Sequence, residues 1–172
     1  MARVRIVDDH DNECPAGGIG EVTAMTPYTM TGYHGLPEKT AQTVRDGWLY
    51  TGDLGRVDPD GYLYLVDRKN DLIITGGMNV YSTEVENAIA ELEGVAQVAV
   101  IGAPHPDWGE AVIACVVSAG ALNPDEVIAH CRKRLSRYKI PKQVRLVEEL
   151  PLTALGKLDK KALRAYVSGD NE

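Results

Sequence analysis

The chain has 172 residues, 44% of them apolar and 25% charged, with a formal net charge of −7. That length holds one ordinary domain or two small ones, and the balance is that of a soluble globular protein, not of a disordered chain. No apolar run reaches the ~18 residues of a membrane span. Cys14, Cys115 and Cys131 are odd in number and widely spaced, so they outline neither a disulfide framework nor a metal site, and a reducing cytoplasm is the expected setting.

Residues 1–66 read as strands and turns. Residues 4–7 form a short strand, and Gly17-Gly18-Ile19-Gly20 turns into a second at Glu21-Val22-Thr23-Ala24. Residues 37–44 are the one stretch here that reads as a short helix. Asp46-Gly47 precedes a strand at Trp48-Leu49-Tyr50, and Asp58-Pro59-Asp60-Gly61 joins Arg56-Val57 to residues 62–65 as a hairpin. This segment is too small to bury a good core alone, which points to the β-rich end of a larger domain.

Five polar or charged residues, Asp67-Arg68-Lys69-Asn70-Asp71, then interrupt the apolar pattern. Charges are buried only when paired, so residues 67–71 read as a linker between a domain over 1–66 and another over 72–172. Gly76-Gly77 between two short apolar runs predicts a hairpin, and Thr83 with Glu86 has capping-box spacing for a helix start. Val85, Ala88, Ile89 and Leu92 share a helical face, and Gly94 stops it. Residues 95–101 and 111–117 are β-branched apolar runs, hence strands buried on at least one face. Asn123-Pro124-Asp125-Glu126 opens a second helix with Ile128, Cys131 and Leu135 as its apolar stripe. Residues 144–147 make a third strand, and Asp159 caps a last helix expected to turn Ala162, Leu163 and Tyr166 inward. The expected fold is α+β, a small three-stranded sheet with helices, preceded by the β-rich remnant of a larger N-terminal domain.

The charge is unevenly placed. Residues 132–164 hold 11 Lys/Arg against 3 Asp/Glu. A basic block in an acidic chain fits a local anion partner or a solvated helix face with its loop. Only Tyr138 interleaves as an aromatic, so stacking on nucleic acid is not expected. Thr51-Gly52-Asp53-Leu54-Gly55 sets a carboxylate between glycines, where it can accept two hydroxyls of a ribose or serve as a plain turn cap. Pro151-Leu152-Thr153-Ala154-Leu155-Gly156-Lys157 sets a lysine after a turn glycine, able to deliver a point charge to a phosphate or carboxylate oxygen. It lacks the spacing of a Walker phosphate loop.

Taken in order, these pieces, with Gly20-Glu21-Val22, Met30-Thr31-Gly32-Tyr33, Asp46-Gly47-Trp48-Leu49 and Glu84-Val85-Glu86, resemble the C-terminal part of the adenylate-forming superfamily. That family comprises acyl-coenzyme A synthetases, luciferase and the adenylation domains of peptide synthetases, and the resemblance covers nearly the whole chain. It implies that ATP activates a small carboxylic acid to an acyl-adenylate, whose acyl group then passes to a thiol. By the match Asp53 and Arg68 would bind the ribose of the nucleotide, Lys157 would be the adenylation lysine, and Asn70 would sit at a hinge about which the C-terminal domain turns. Asn replaces the usual Asp or Lys there. Gly76 and Gly77 would line the pantetheine route, Trp108 and Gly109 would flank the coenzyme A nucleotide, and Lys139 and Lys142 would meet its phosphates. For Trp108 a partly buried anchor beside Pro104 and Pro106 is the competing reading.

Gly76-Gly77-Met78-Asn79 is closer to acyl-coenzyme A ligases than to peptide-synthetase domains, although Ser82 stands where many ligases have Pro. ATP with magnesium would be held mainly by an upstream domain of the same protein, which carries the phosphate loop, the adenine motif and the acyl pocket. The chain is thus expected to be a C-terminal fragment of a carboxylic acid–CoA ligase that folds but does not adenylate unaided. The alternatives are a non-catalytic module docking an adenylating domain or carrier protein, and part of a peptide-synthetase adenylation domain.

Overall fold

The computed structural model describes residues 2–169, and the chain divides between Asn70 and Asp71 into two compact units. In the first unit β1 (Arg3–Val7) pairs antiparallel with β2 (Gly20–Met25). A seven-residue helix α1 (Pro37–Thr43) leads to the short β3 (Val44–Arg45) and the long β4 (Trp48–Val57). Strand β4 lies between β2 and β3 and also pairs with β5 (Leu63–Arg68), all antiparallel. Asp46 and Gly47 both have positive φ, 49° and 80°, and Arg45 pairs with Trp48. The Asp-Gly pair therefore closes a two-residue hairpin, as its chemistry dictates. The core is small, Val7, Trp48 and Tyr50 with Met25 against them. Arg5 lies 4.0 Å over the Trp48 ring and Arg45 3.5 Å over that of Tyr50, so guanidinium groups cover aromatic faces that this sheet cannot bury.

Strand β5 takes in Asp67 and Arg68, and Lys69–Asp71 form a single 3-10 turn. Charged residues are tolerated in that strand because its register sets Arg68 opposite Asp53, where the two pair.

The second unit is built on β9 (Gly109–Ser118), flanked by β8 (Val95–His105) antiparallel and β10 (Gln143–Leu146) parallel. The hairpin of β6 (Ile73–Thr75) and β7 (Met78–Val80) joins the same sheet where Thr75 pairs with Gly109, giving five strands where three were expected. Helices α2 (Ser82–Ala90) and α3 (Pro124–Arg132) cover one face, and α4 (Lys160–Gly169) covers the other. Alternation along β9 explains this. Val112, Ala114 and Val116 belong to the core with α2 and α3, whereas Ala111, Ile113 and Cys115 belong to the core with Leu163 and Val167 of α4. A continuous apolar run is the signature of a strand covered on both sides.

Two local expectations need correction. Helix α2 starts at Ser82 with Tyr81 at the cap position and no side-chain cap bond there. Glu86 is drawn into tertiary contacts instead, accepting from the Val100 amide at 2.8 Å and pairing with Lys160 at 2.7 Å. In α4 the inward residues are Leu163 and Val167, while Ala162 and Tyr166 are exposed and line an open groove beside Leu146, Val147 and Pro151. The cap of α4 is as expected, with Asp159 Oδ1 accepting from the Ala162 amide at 2.9 Å. The α3 capping box forms in both directions between Asn123 and Glu126.

Candidate active site

In the first unit, the turn at Gly52 (φ 73°) sets the direction of Asp53. The Thr51 hydroxyl donates to the Val22 carbonyl at 2.7 Å and accepts from the Asp53 amide at 3.1 Å. Asp53 Oδ1 then receives Arg68 Nε at 2.8 Å, with the Asp53 side chain 27% exposed and Arg68 63% exposed. A partly exposed carboxylate whose Oδ2 has no partner among the described residues suits two vicinal hydroxyls, and the guanidinium beside it adds a donor. Asp53 and Arg68, the two residues expected to contact the nucleotide, sit in one ion pair. Behind the pair stands Glu21, whose Gly20-Glu21-Val22 stretch carries part of the resemblance but has no task assigned by it. Glu21 is buried, accepts from the Gly52 amide at 3.1 Å and from Lys69 Nζ at 3.1 Å, and so ties the Asp53 turn to the residue before Asn70. Burial disfavours the Lys69 ammonium, but Glu21 and Asp9 outweigh that and hold its pKa above the ordinary lysine value.

In the second unit, the residues expected on the coenzyme A side assemble around the hairpin. Gly76 and Gly77 take positive φ of 56° and 77°, the conformation that lets two residues close β6 onto β7. The Gly76 amide donates to the Trp108 carbonyl at 2.8 Å, and Gly109 pairs with Thr75. The Trp108 ring stacks on His105 with centroids 4.1 Å apart, and Lys142 Nζ lies 4.6 Å from its centroid. Glu110 carries no motif signal in the sequence. Its Oε2 accepts from the Ile74 amide at 2.7 Å and its carboxylate lies over Gly102, where a Cβ would come within 2.6 Å, so it holds the hairpin to the sheet. Lys139 differs from the other expected anion contact. Glu84 takes up its ammonium at 2.6 Å, leaving the side chain 16% exposed. Burial opposes that charge, and Glu84 more than restores it, raising the pKa.

Lys157 lies on a loop with its own two-stranded stem. The Asp159 amide donates to Pro151 O at 2.8 Å, the Thr153 amide donates to Lys157 O at 2.7 Å, and Leu152 bridges Leu158. Gly156 (φ 74°) makes the tip, and the Thr153 hydroxyl accepts from the Lys157 amide at 3.2 Å. The side chain is exposed, and among the described residues its ammonium has no ion-pair partner. Such a cation is available to an incoming anion. No cluster of three or more His, Cys, Asp or Glu side chains converges among the described residues.

All three cysteines are free thiols. Burial pushes the Cys115 thiol up to about 11, against a smaller opposing effect of Arg145, and burial also raises Cys131. Iodoacetamide at pH 8 should therefore label Cys14, which is only half-buried, well before the other two, and all three in urea. Mass mapping of Cys115 labelled as fast as Cys14 in the folded protein would contradict this burial.

The description AMP-binding enzyme C-terminal domain fits residues 84–157 as a family model. The chain is 46% identical over 174 residues to a medium/long-chain-fatty-acid–CoA ligase of Mycobacterium tuberculosis, covering 96% of this chain and 30% of that protein. It is 43% identical over 166 residues to a long-chain-fatty-acid–CoA ligase of Salmonella typhimurium, with the same coverage of 96% and 30%. The chain thus spans about a third of the length of the curated relatives it matches. Among solved structures, ATP-bound MatB from Rhodopseudomonas palustris superposes with a TM-score of 0.90 at 39% identity, over 96% of this chain and 34% of that one. The o-succinylbenzoate CoA synthetase of Bacillus subtilis with its acyl-adenylate gives 0.88 at 34% identity, over 96% and 33%. No helix among the described residues is long and apolar enough to cross a membrane.

Proposed function

The chain belongs to the adenylate-forming superfamily, through its AMP-binding enzyme C-terminal domain, and from that premise we propose that it works as the carboxy-terminal part of an ATP-dependent carboxylic acid–CoA ligase. Asp53 and Arg68 hold the ribose of the nucleotide. Lys157 brings its cation between the carboxylate and the triphosphate, two anions whose repulsion must be offset as they meet. The hairpin tip at Gly76 and Gly77, with Trp108, Gly109 and Lys142, forms the thiol side, where absent side chains leave room for a pantetheine arm and a cation meets phosphate. Lys139 joins that side if its pair with Glu84 opens.

The observation that carries this reading is the exposed ammonium of Lys157, without an ion-pair partner among the described residues and presented on a hydrogen-bonded loop. Residues 67–71, with Asn70 as the hinge residue, serve as the joint between a domain over 1–66 and one over 72–172. Magnesium accompanies ATP and is held chiefly by the upstream domain. The reducing cytoplasm is the setting proposed for three free thiols and these substrates.

Mixing this chain with a separately made upstream domain of a fatty-acid–CoA ligase tests the proposal. The expected result is coenzyme A thioester formation that depends on Lys157 and is absent from either piece alone. Tight association without turnover would favour a docking module instead.

A further inference from the structure

Helix α4 begins three residues after Lys157, and the Asp159 cap carries the stem of the Lys157 loop onto its first turn. On the sheet side α4 buries only Leu163 and Val167. Apolar burial has no direction, so a two-residue stripe leaves the helix free to slip or roll by a fraction of a turn. The flank of α4 supplies what the stripe lacks. Lys160 and Arg164, one turn apart and hence on one side of the helix, each reach a carboxylate of a different segment.

Lys160 Nζ donates to Ser82 Oγ at 2.8 Å and pairs with Glu86 Oε1 at 2.7 Å, with side chains 12% and 19% exposed. The same Glu86 oxygen accepts from the Val100 amide at 2.8 Å, and Val100 is fully buried in β8. One carboxylate thus ties α2, the central sheet and the start of α4 together. One turn on, Arg164 Nη2 pairs with Asp71 Oδ1 at 2.8 Å, with Asp71 19% exposed, in the first residue of this unit.

We infer that Glu86 and Asp71 are positioning residues for Lys157, acting through Lys160 and Arg164 to fix where α4, and with it the lysine loop, stands. Charge-assisted bonds are directional, and these are sheltered enough to escape most screening. Asp71 follows Asn70 directly and ends the joint, so its bond to α4 makes that end of the joint and the lysine loop move as one piece. A turn at Asn70 then reaches Lys157 without slack. The inference rests on Lys157 being the adenylation lysine, and the test separates the two.

In the complete enzyme, Glu86→Gln keeps the shape and the acceptor for Val100 but removes the charge, and Asp71→Asn does the same at the second anchor. Each should lower kcat for ATP–pyrophosphate exchange by ~10- to 100-fold, the loss that a misplacement of order 1 Å brings. The KM for ATP and the rate of thioester formation from supplied acyl-adenylate should both stay within about twofold. On a Lys157→Ala background, Glu86→Gln should cost nothing further, because residues that act as one unit are not additive.

Equal loss on both backgrounds, parallel loss of both half-reactions, or no loss at all would overturn the inference. Exchange that survives Lys157→Ala would overturn the functional reading first, and this inference with it. Should Glu86→Gln fail to fold, Lys160→Met carries the same expectations, since it keeps most of the aliphatic stem and removes the ammonium with its bonds to Ser82 and Glu86, while Glu86 still accepts from the Val100 amide.

Discussion

Lys157→Ala in the complete enzyme should lower acyl-adenylate formation by about 10²- to 10³-fold, the scale for removing one preorganised electrostatic contact at developing charge. Thioester formation from supplied acyl-adenylate should be nearly unaffected. The asymmetry follows from when the cation is needed. Before adenylation two anions must approach each other, and a single positive charge between them offsets their repulsion more strongly as water is excluded. Once the acyl-adenylate exists the triphosphate is gone, and so is the need. Stability should hardly change, since the ammonium is exposed and has no partner among the described residues, and such surface substitutions stay within about 0.5 kcal/mol. ATP–pyrophosphate exchange and thioester release, measured side by side, decide the matter. Equal damage to both would refute the division of labour. Lys157→Arg should fall between wild type and alanine, because a planar fork does not reproduce a compact point charge on so short a loop.

The loop that presents Lys157 was legible in the sequence because its determinants are local. Pro151, Gly156 and Asp159 each act within a few residues, and so do the Asn123–Glu126 box and the Asp46-Gly47 turn. The failures share one cause. Thr83 and Glu86 have the spacing of a capping box, but Glu86 finds better partners in Lys160 and the Val100 amide, and spacing alone says nothing of a competitor far along the chain. The face of α4 was misread by one position. Ala162, Leu163, Tyr166 and Val167 are all apolar, and only the sheet beneath decides that Leu163 and Val167 turn in. The ties made by Glu21, Glu110 and the Arg164–Asp71 pair are not legible for the same reason, their partners lying 48, 36 and 93 residues away. The residues that would touch substrate were therefore readable as motifs, whereas those that hold them in place emerge only from the fold.

Asn70→Pro should separate the two half-reactions from the opposite direction. Asn70 lies in the middle of the 3-10 turn Lys69–Asp71, so Lys69 has helical backbone angles, which a following proline disfavours. Lys69 is also tied to the buried Glu21 and to Asp9 by bonds of 3.1 Å each. The turn must then open while its first residue stays anchored, and the strain falls on the joint. Holding Lys69 in backbone angles that a following proline disfavours costs on the order of 1–3 kcal/mol, which shifts a two-state balance by about 10- to 100-fold. If the joint alternates between an adenylating and a thiolating orientation, one half-reaction should fall by about that factor while the other holds within a few fold. Asn70→Gly, which relaxes the turn without excluding either orientation, should preserve both. A proline variant whose two half-reactions fall in parallel would remove the joint from the mechanism. It would leave Lys157 in place as the adenylating cation, because the lysine's task depends on the charges it meets and not on how it arrives.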